Sequence, residues 1–218
     1  MFGYKDRSWI DKSVIAENAD AEITFSLQRA FHPNPNALDE RNAIALPAPA
    51  IPSADPYNLS SKEVLNNERP LAEHYKAVLQ LACHHAKPYV AFNLHMWLRL
   101  HFRWNEGAIS FPWYDTLEEM ERLFGFLNDA VDGQTWSGVE QGWDMIAVRV
   151  GSRFHFREGN SDQGVEHANI ALPREDLLAS ISRLRERMRI IIGRLTTEVG
   201  EDYWTRHRYD LRNNLTRR

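Results

Sequence analysis

The stretch "WDMIAVRVGSRFHFREGNSDQGVEHANIAL" (residues 143–172) decides the fold class. Three short runs stand out, "WDMIAVRV" (143–150), "RFHFRE" (153–158) and "VEHANIAL" (165–172). Each is rich in β-branched or aromatic residues and bounded by turn residues, which predicts three strands. Gly151-Ser152 reads as a tight hairpin turn between the first two, and "GNSDQG" as a polar loop between the second and third. The period then changes. Leu177, Leu178, Ile181, Leu184, Met188, Ile191, Ile192 and Leu195 recur at helical spacing, predicting one long helix over about 174–198. Strands in pairs followed by helices, without strict strand–helix–strand alternation, indicate an α+β fold.

The rest of the chain extends this pattern. In "NLHMWLRLHFRW" (93–104), Leu94, Met96, Leu98, Leu100, Phe102 and Trp104 fall on one parity, and His95, Trp97, Arg99, His101 and Arg103 on the other. That predicts a strand over roughly 89–104. "NEG" (105–107) supplies a hairpin loop in which Gly107 is free to take a positive φ, and "AISFPW" returns as a second strand. "AEITFSLQRAF" (21–31) alternates as well, with Ile23, Phe25, Leu27 and Phe31 opposed to Glu22, Thr24, Ser26 and Gln28. Ser60 or Ser61 caps a short helix. "RPLAEHYKAVLQLACHHA" (69–86) carries Leu71, Tyr75, Val78, Leu79 and Ala82 as a helical stripe. In "DTLEEMERLFGFLNDAVDG" (115–133), Thr116 and Glu119 form a capping box. "ALPAPAIPSADP" (45–56) holds four prolines in twelve residues and reads as an extended surface segment. The expectation is a single domain over 1–218 with a Pro-rich arm or linker at 43–60 within it. Its mainly antiparallel sheet of about five or six strands has helices packed on one face. The apolar parity of 94–104 then meets the helices, and the His/Trp/Arg parity faces solvent, the arm or a partner.

Composition narrows the function classes. A chain of 218 residues that is 43% hydrophobic can bury a core without staples. Its one cysteine, Cys83, excludes an internal disulfide. The first residues carry charges and no apolar run, and no stretch approaches a membrane span, so a cytoplasmic protein without membrane contact is expected. The net charge of −4 is uneven. From Arg174 onward 11 basic residues face 7 acidic ones, giving +4 there and −8 over residues 1–173. An acidic body argues against nucleic-acid binding and favours a basic partner.

No motif declares a chemistry. HExxH, CxxC, GxSxG and P-loop patterns are absent, and no cofactor is expected. His95 and His101 lie about 20 Å apart along a strand, too far to share an ion. A hairpin centred on Ser161 would put His155 opposite His167, the one weak candidate for a metal pair, though no third ligand shows a recognisable spacing. Cys83 sits beside an apolar helical stripe and reads as a packed, inert thiol. Glu118, Glu119 and Glu121 suit a helix N-terminus. Arg183, Arg185, Arg187, Arg189 and Arg194 read as the solvated side of an amphipathic helix, and Trp204 as an anchor for the tail.

The segment from Gly142 to Leu195, "GWDMIAVRV…REDLLASISRLRERMRIIIGRL", resembles in layout a group of small bacterial immunity proteins encoded beside polymorphic or contact-dependent toxins. The resemblance covers the last third of the chain and carries no functional residues across. It implies a non-enzymatic, antitoxin-like protein, a monomer or homodimer, that binds a basic toxin domain and covers its active site. The contact surface expected on that reading draws on His95, Trp97, Arg99, His101 and Arg103, with an aromatic loop at Trp113, Tyr114 and Trp136. The alternative is a small cytoplasmic, hydrolase-like enzyme with a His-rich site on the same sheet face. A third reading is a homo-oligomer built on the long C-terminal helix.

Overall fold

In the computed structural model, which describes residues 7–33, 42–85, 93–111, 115–140, 143–160 and 162–206, the class is α+β. Eleven strands and four α-helices lie among the described residues. The strands are β1 (Val14–Ile15), β2 (Asp20–Ser26), β3 (Ala30–Phe31), β4 (Ile44–Ala45), β5 (Asn58–Ser60), β6 (Leu98–Trp104), β7 (Gly107–Phe111), β8 (Thr135–Glu140), β9 (Trp143–Val150), β10 (Arg153–Asn160) and β11 (Val165–Pro173). The helices are α1 (Ser61–Val64), α2 (Glu68–His84), α3 (Leu117–Asp129) and α4 (Arg174–Val199). The strands are shared among three sheets, ordered β1-β11-β10-β9-β8, β5-β2-β6-β7 and β3-β4. The chain divides into two compact units. The first comprises residues 1–22, 100–113 and 121–184, and the second residues 23–99, 114–120 and 185–218.

The first unit is organised by the five-stranded sheet. β9 and β10 pair antiparallel from Arg153 opposite Val150 to Asn160 opposite Trp143. Their link is the expected two-residue turn, with Gly151 at φ +56°, where a side chain would be strained. Register puts Phe154 and Phe156 of β10 on one face, and both are fully buried. Phe102 lies 5.5 Å from Phe156 and 5.0 Å from Phe111, and Phe126 lies 6.2 Å from Phe154. Each such ring contributes about 2–3 kcal/mol through burial. The opposite face carries Ile146 and Val148, covered by Trp9 and Ile10 of the N-terminal segment. In the first half of α4, Leu177, Ile181 and Leu184 are buried at helical spacing. Ser180, also buried, donates its hydroxyl to Asp20 and accepts the N–H of Ala21.

Two local expectations change in this unit. Trp104 pairs with Gly107, so the β6–β7 loop is Asn105-Glu106 and Gly107 belongs to the strand. Gly107 does not take a positive φ. Its missing side chain leaves room for Trp104, because a Cβ there would stand 2.8 Å from the indole. Trp136 is not in a loop. It belongs to β8, the outer strand of the sheet.

In the second unit β2 and β5 pair antiparallel, with Thr24 opposite Ser60. The Ser26 N–H donates to the Trp97 C=O at 3.0 Å, where β2 runs beside β6. β2 is buried on both parities, including Glu22 and Thr24, so the polar side expected for 21–31 is not a solvent face. Ser60 and Glu63 form a reciprocal capping box at α1. On α2, Leu71, Tyr75 and Val78 are fully buried, and Tyr75 packs on Trp204 at 5.1 Å. Trp204, itself fully buried, does more than anchor the tail. Its carbonyl accepts the Leu117 N–H and the Thr205 carbonyl the Glu118 N–H, both at 3.0 Å. Two of the orphan donors at the start of α3 are thereby satisfied. The Pro-rich segment runs beside α2, where His74 Nδ1 donates to the Pro47 carbonyl at 2.9 Å. A cleft of about 380 Å³ separates Pro47–Ala50 from the first turns of α2. Cys83 is exposed, not packed: the apolar stripe of α2 passes one residue away, at Ala82. Among the described residues no helix is long and apolar enough to cross a membrane.

Candidate protein-interaction site

The His/Trp/Arg parity of 93–104 divides into parts with different environments. His95 leaves the face altogether. Residues Asn93–Met96 form a 3-10 turn, and β6 begins only at Leu98, so the period-two pattern seen in the sequence does not persist in space. His95 is buried, and its ring stacks on Phe31 at 5.7 Å. Burial, and after it the charges of His74 and His32, push its pKa down to about 4. It is a neutral core residue at physiological pH.

Trp97 and Arg99 stay together in the second unit. The Arg99 guanidinium lies 4.8 Å above the Trp97 ring, a cation–π geometry. Asp115 fixes it there through an ion pair between Arg99 Nη1 and its carboxylate, the side chains 21% and 20% exposed. The backbone of Asp115 is tied twice. Its carbonyl accepts the Leu98 N–H, and its N–H donates to Glu119. Glu119 also accepts from the backbone and hydroxyl of Thr116, so the predicted Thr116–Glu119 pair holds the start of α3 and the Arg99 clamp at once.

In the first unit, His101 Nδ1 and Ser110 Oγ are 2.9 Å apart across the β6–β7 ladder, and Arg103 is exposed opposite Ala108. Trp136 is half-buried opposite Ala147. Trp113 and Tyr114 lie outside the described residues.

His155 and His167 are not a cross-strand pair. β10 continues to Asn160, and the ladder to β11 shifts register after Glu158, so His155 stands opposite Ala171. The hairpin turns about residues 162–163 and not about Ser161, which moves the partner of His155 by three residues, and the one-residue bulge moves it by one more. His155 Nδ1 meets Ser13 Oγ at 3.0 Å, and Ser13 Oγ lies 2.8 Å from Asn169 Oδ1. Because Asn169 Nδ2 donates to the Trp9 carbonyl, its Oδ1 is the end that faces Ser13 and must accept. The serine proton is therefore committed to Asn169, and His155 donates to Ser13. That direction locks the N-terminal segment onto the sheet and is opposite to what a Ser–His nucleophile requires. His167 instead stacks on Trp143 at 4.7 Å. Among the described residues no group of three or more metal-ligating side chains could hold an ion.

Sequence reading missed Glu158. It follows Phe154 and Phe156 on the same parity of β10 and is buried with them. Burial pushes its pKa up to about 7, opposed in part by the nearby Trp143 indole. A carboxylate continuing an apolar period-two run was the available signal.

No protein-family model, curated protein or solved structure matches the chain.

Proposed function

We propose that the protein is a non-enzymatic binding protein of the immunity or antitoxin type, which neutralises a cognate toxin domain in the bacterial cytoplasm by covering it. The observation that carries this reading is the Trp97–Arg99–Asp115 cluster. Tryptophan and arginine dominate binding hot spots. Here the arginine is held over the indole before any partner arrives, so less side-chain freedom is lost on association. The acidic balance of residues 1–173 suits a basic toxin domain. The test is a pull-down of the tagged full chain from its native organism, read by mass spectrometry, with Trp97→Ala and Arg99→Ala in parallel. A stoichiometric partner whose lethality the wild type suppresses is expected, with affinity falling about ten- to a hundredfold in each variant. If both variants capture the partner as well as the wild type does, this cluster is not the contact surface.

A second reading, a small hydrolase, draws support from Glu158. A buried carboxyl poised near neutrality beside Trp143 has the protonation range of a general acid or base. The acid–base group would then lie on β10 and not at His95 or His101. Loss of a hydrolytic activity in Glu158→Gln, with the fold retained, would favour it over binding.

A further inference from the structure

We propose that the strap made of β3, β4 and the Pro-rich run as far as Ile51 is latched to α2 and to the 93–96 turn by histidines, and that acid releases it. Among the described residues β3 and β4 pair only with each other, Ala30 with Ala45 and Phe31 with Ile44, and join neither larger sheet. The strap can therefore leave without breaking a ladder of those sheets. Side chains hold it in place. Phe31, Leu46 and Ile51 are buried. Phe31 stacks with His85, the residue after α2, at 5.9 Å and with His95 at 5.7 Å. The Pro47 carbonyl accepts from His74 Nδ1 at 2.9 Å, and the Leu46 carbonyl from the Tyr57 hydroxyl at 3.1 Å. All of these residues belong to the second unit.

Two of the three latching rings have no place for a second proton. A carbonyl only accepts, so His74 Nδ1 carries the hydrogen and Nε2 the lone pair. His74 is 3% exposed, and its Nε2 is buried without a hydrogen-bond partner. His95 is 5% exposed, and its Nδ1 is in the same condition. A charge placed on either ring would be buried, with an N–H that meets no acceptor. No carboxylate among the described residues balances it. The ionisable groups that act on His95 are His74 and His32, both basic, with His32 next to Phe31 on the strap side. The strap from Leu46 to Ile51 has no ionisable side chain. On α2, Glu73 is engaged by Lys76 at 2.9 Å and by Arg69. Tyr75, edge-on to His74, is a neutral phenol held so by burial. Burial keeps both imidazoles below the ordinary histidine range, His95 at about 4. Pro47 lies on His74 and Phe31 on His95, so departure of the strap opens both rings to water. Between pH 6.5 and 4 the open form then binds protons that the closed form refuses, and falling pH drives opening. His95 alone raises the opening constant about fiftyfold from pH 7 to pH 4.5, and His74 adds to it.

The test is hydrogen–deuterium exchange of the full chain at about pH 7 and pH 4.5, read by mass spectrometry and corrected for the intrinsic rate at each pH. The Leu46 and Ile51 amides, which donate to the Arg29 and Pro49 carbonyls, report opening of the strap. Peptides spanning 42–51 should lose about fiftyfold or more of their protection at pH 4.5, while peptides of β9 and β10 keep theirs. His74→Asn keeps a donor for the Pro47 carbonyl, His95→Phe keeps a ring on Phe31, and neither new side chain titrates in this range. In the double variant the protection of 42–51 should be the same at both pH values. Far-UV circular dichroism checks that the variant is folded, and the wild-type contrast between 42–51 and β9–β10 decides the matter if it is not. Equal protection of 42–51 at the two pH values in the wild type overturns the proposal. So does loss of protection there and in β9–β10 together, which is acid unfolding of the whole chain, or a folded double variant whose strap still opens with acid.

Discussion

Glu158 is the residue at which packing and charge conflict most. Its place on β10 after Phe154 and Phe156 forces a carboxyl into the interior, and its pKa rises from 4.5 to about 7. Between those values the folded chain keeps a proton that the unfolded chain has released. Stability from this group is therefore full below pH 4.5, falls as pH rises through the window, and is flat above 7, a loss on the order of 3 kcal/mol. Glu158→Gln removes the charge and keeps the shape. Urea unfolding at pH 5 and pH 8 should show the variant gaining on the wild type at pH 8. An unchanged difference at the two pH values would mean the carboxyl is not desolvated in solution. His95 works in the other direction. Its pKa is pushed from 6.5 to about 4, so its contribution is complete above 6.5 and is lost as pH falls. The two slopes oppose each other between 4.5 and 6.5, and the wild-type profile there should be flatter than that of either single variant.

Among the elements, the β9–β10 hairpin owes its register to the turn. Gly151 sits at φ +56°, and its N–H also donates to Asp132 at 2.6 Å. Gly151→Ala should cost about 1–2 kcal/mol, and Gly151→Asn less, because asparagine tolerates the left-handed region. Thermal melts of the two variants should rank in that order, and equal melting temperatures would deny the turn this role. The hairpin, the Thr116–Glu119 cap and α4 were legible in the sequence because a local signal, a turn residue or a strict period, sufficed for each. β8 was not, since "TWSGVE" has no clean alternation and its glycine and serine read as loop. The turn at 93–96 was hidden because the period-two pattern of 93–104 runs unbroken through it. The same limit applied to the sites. Trp97 and Arg99 were recognisable as residue types, but their stacking depends on Asp115, sixteen residues further on. The His155–His167 pair failed because the hairpin turns about residues 162–163 and carries a one-residue bulge, which together shift the register by four and which no periodicity records.

At the scale of the whole molecule, exposed apolar side chains and net charge are distributed differently. Every large hydrophobic side chain that is exposed among the described residues belongs to the first unit: Val14, Ile15, Val131, Val139, Val150 and Val165. Charge is carried by the whole chain, −4 in total. Steering of a basic toxin domain should weaken with salt. Raising ionic strength from about 0.01 M to 0.3 M shortens the screening length from about 30 Å to below 10 Å. Over that range the association rate with the toxin should fall about tenfold with little change in dissociation, measured by stopped flow. A toxin association rate indifferent to salt would remove the basic partner from the proposal.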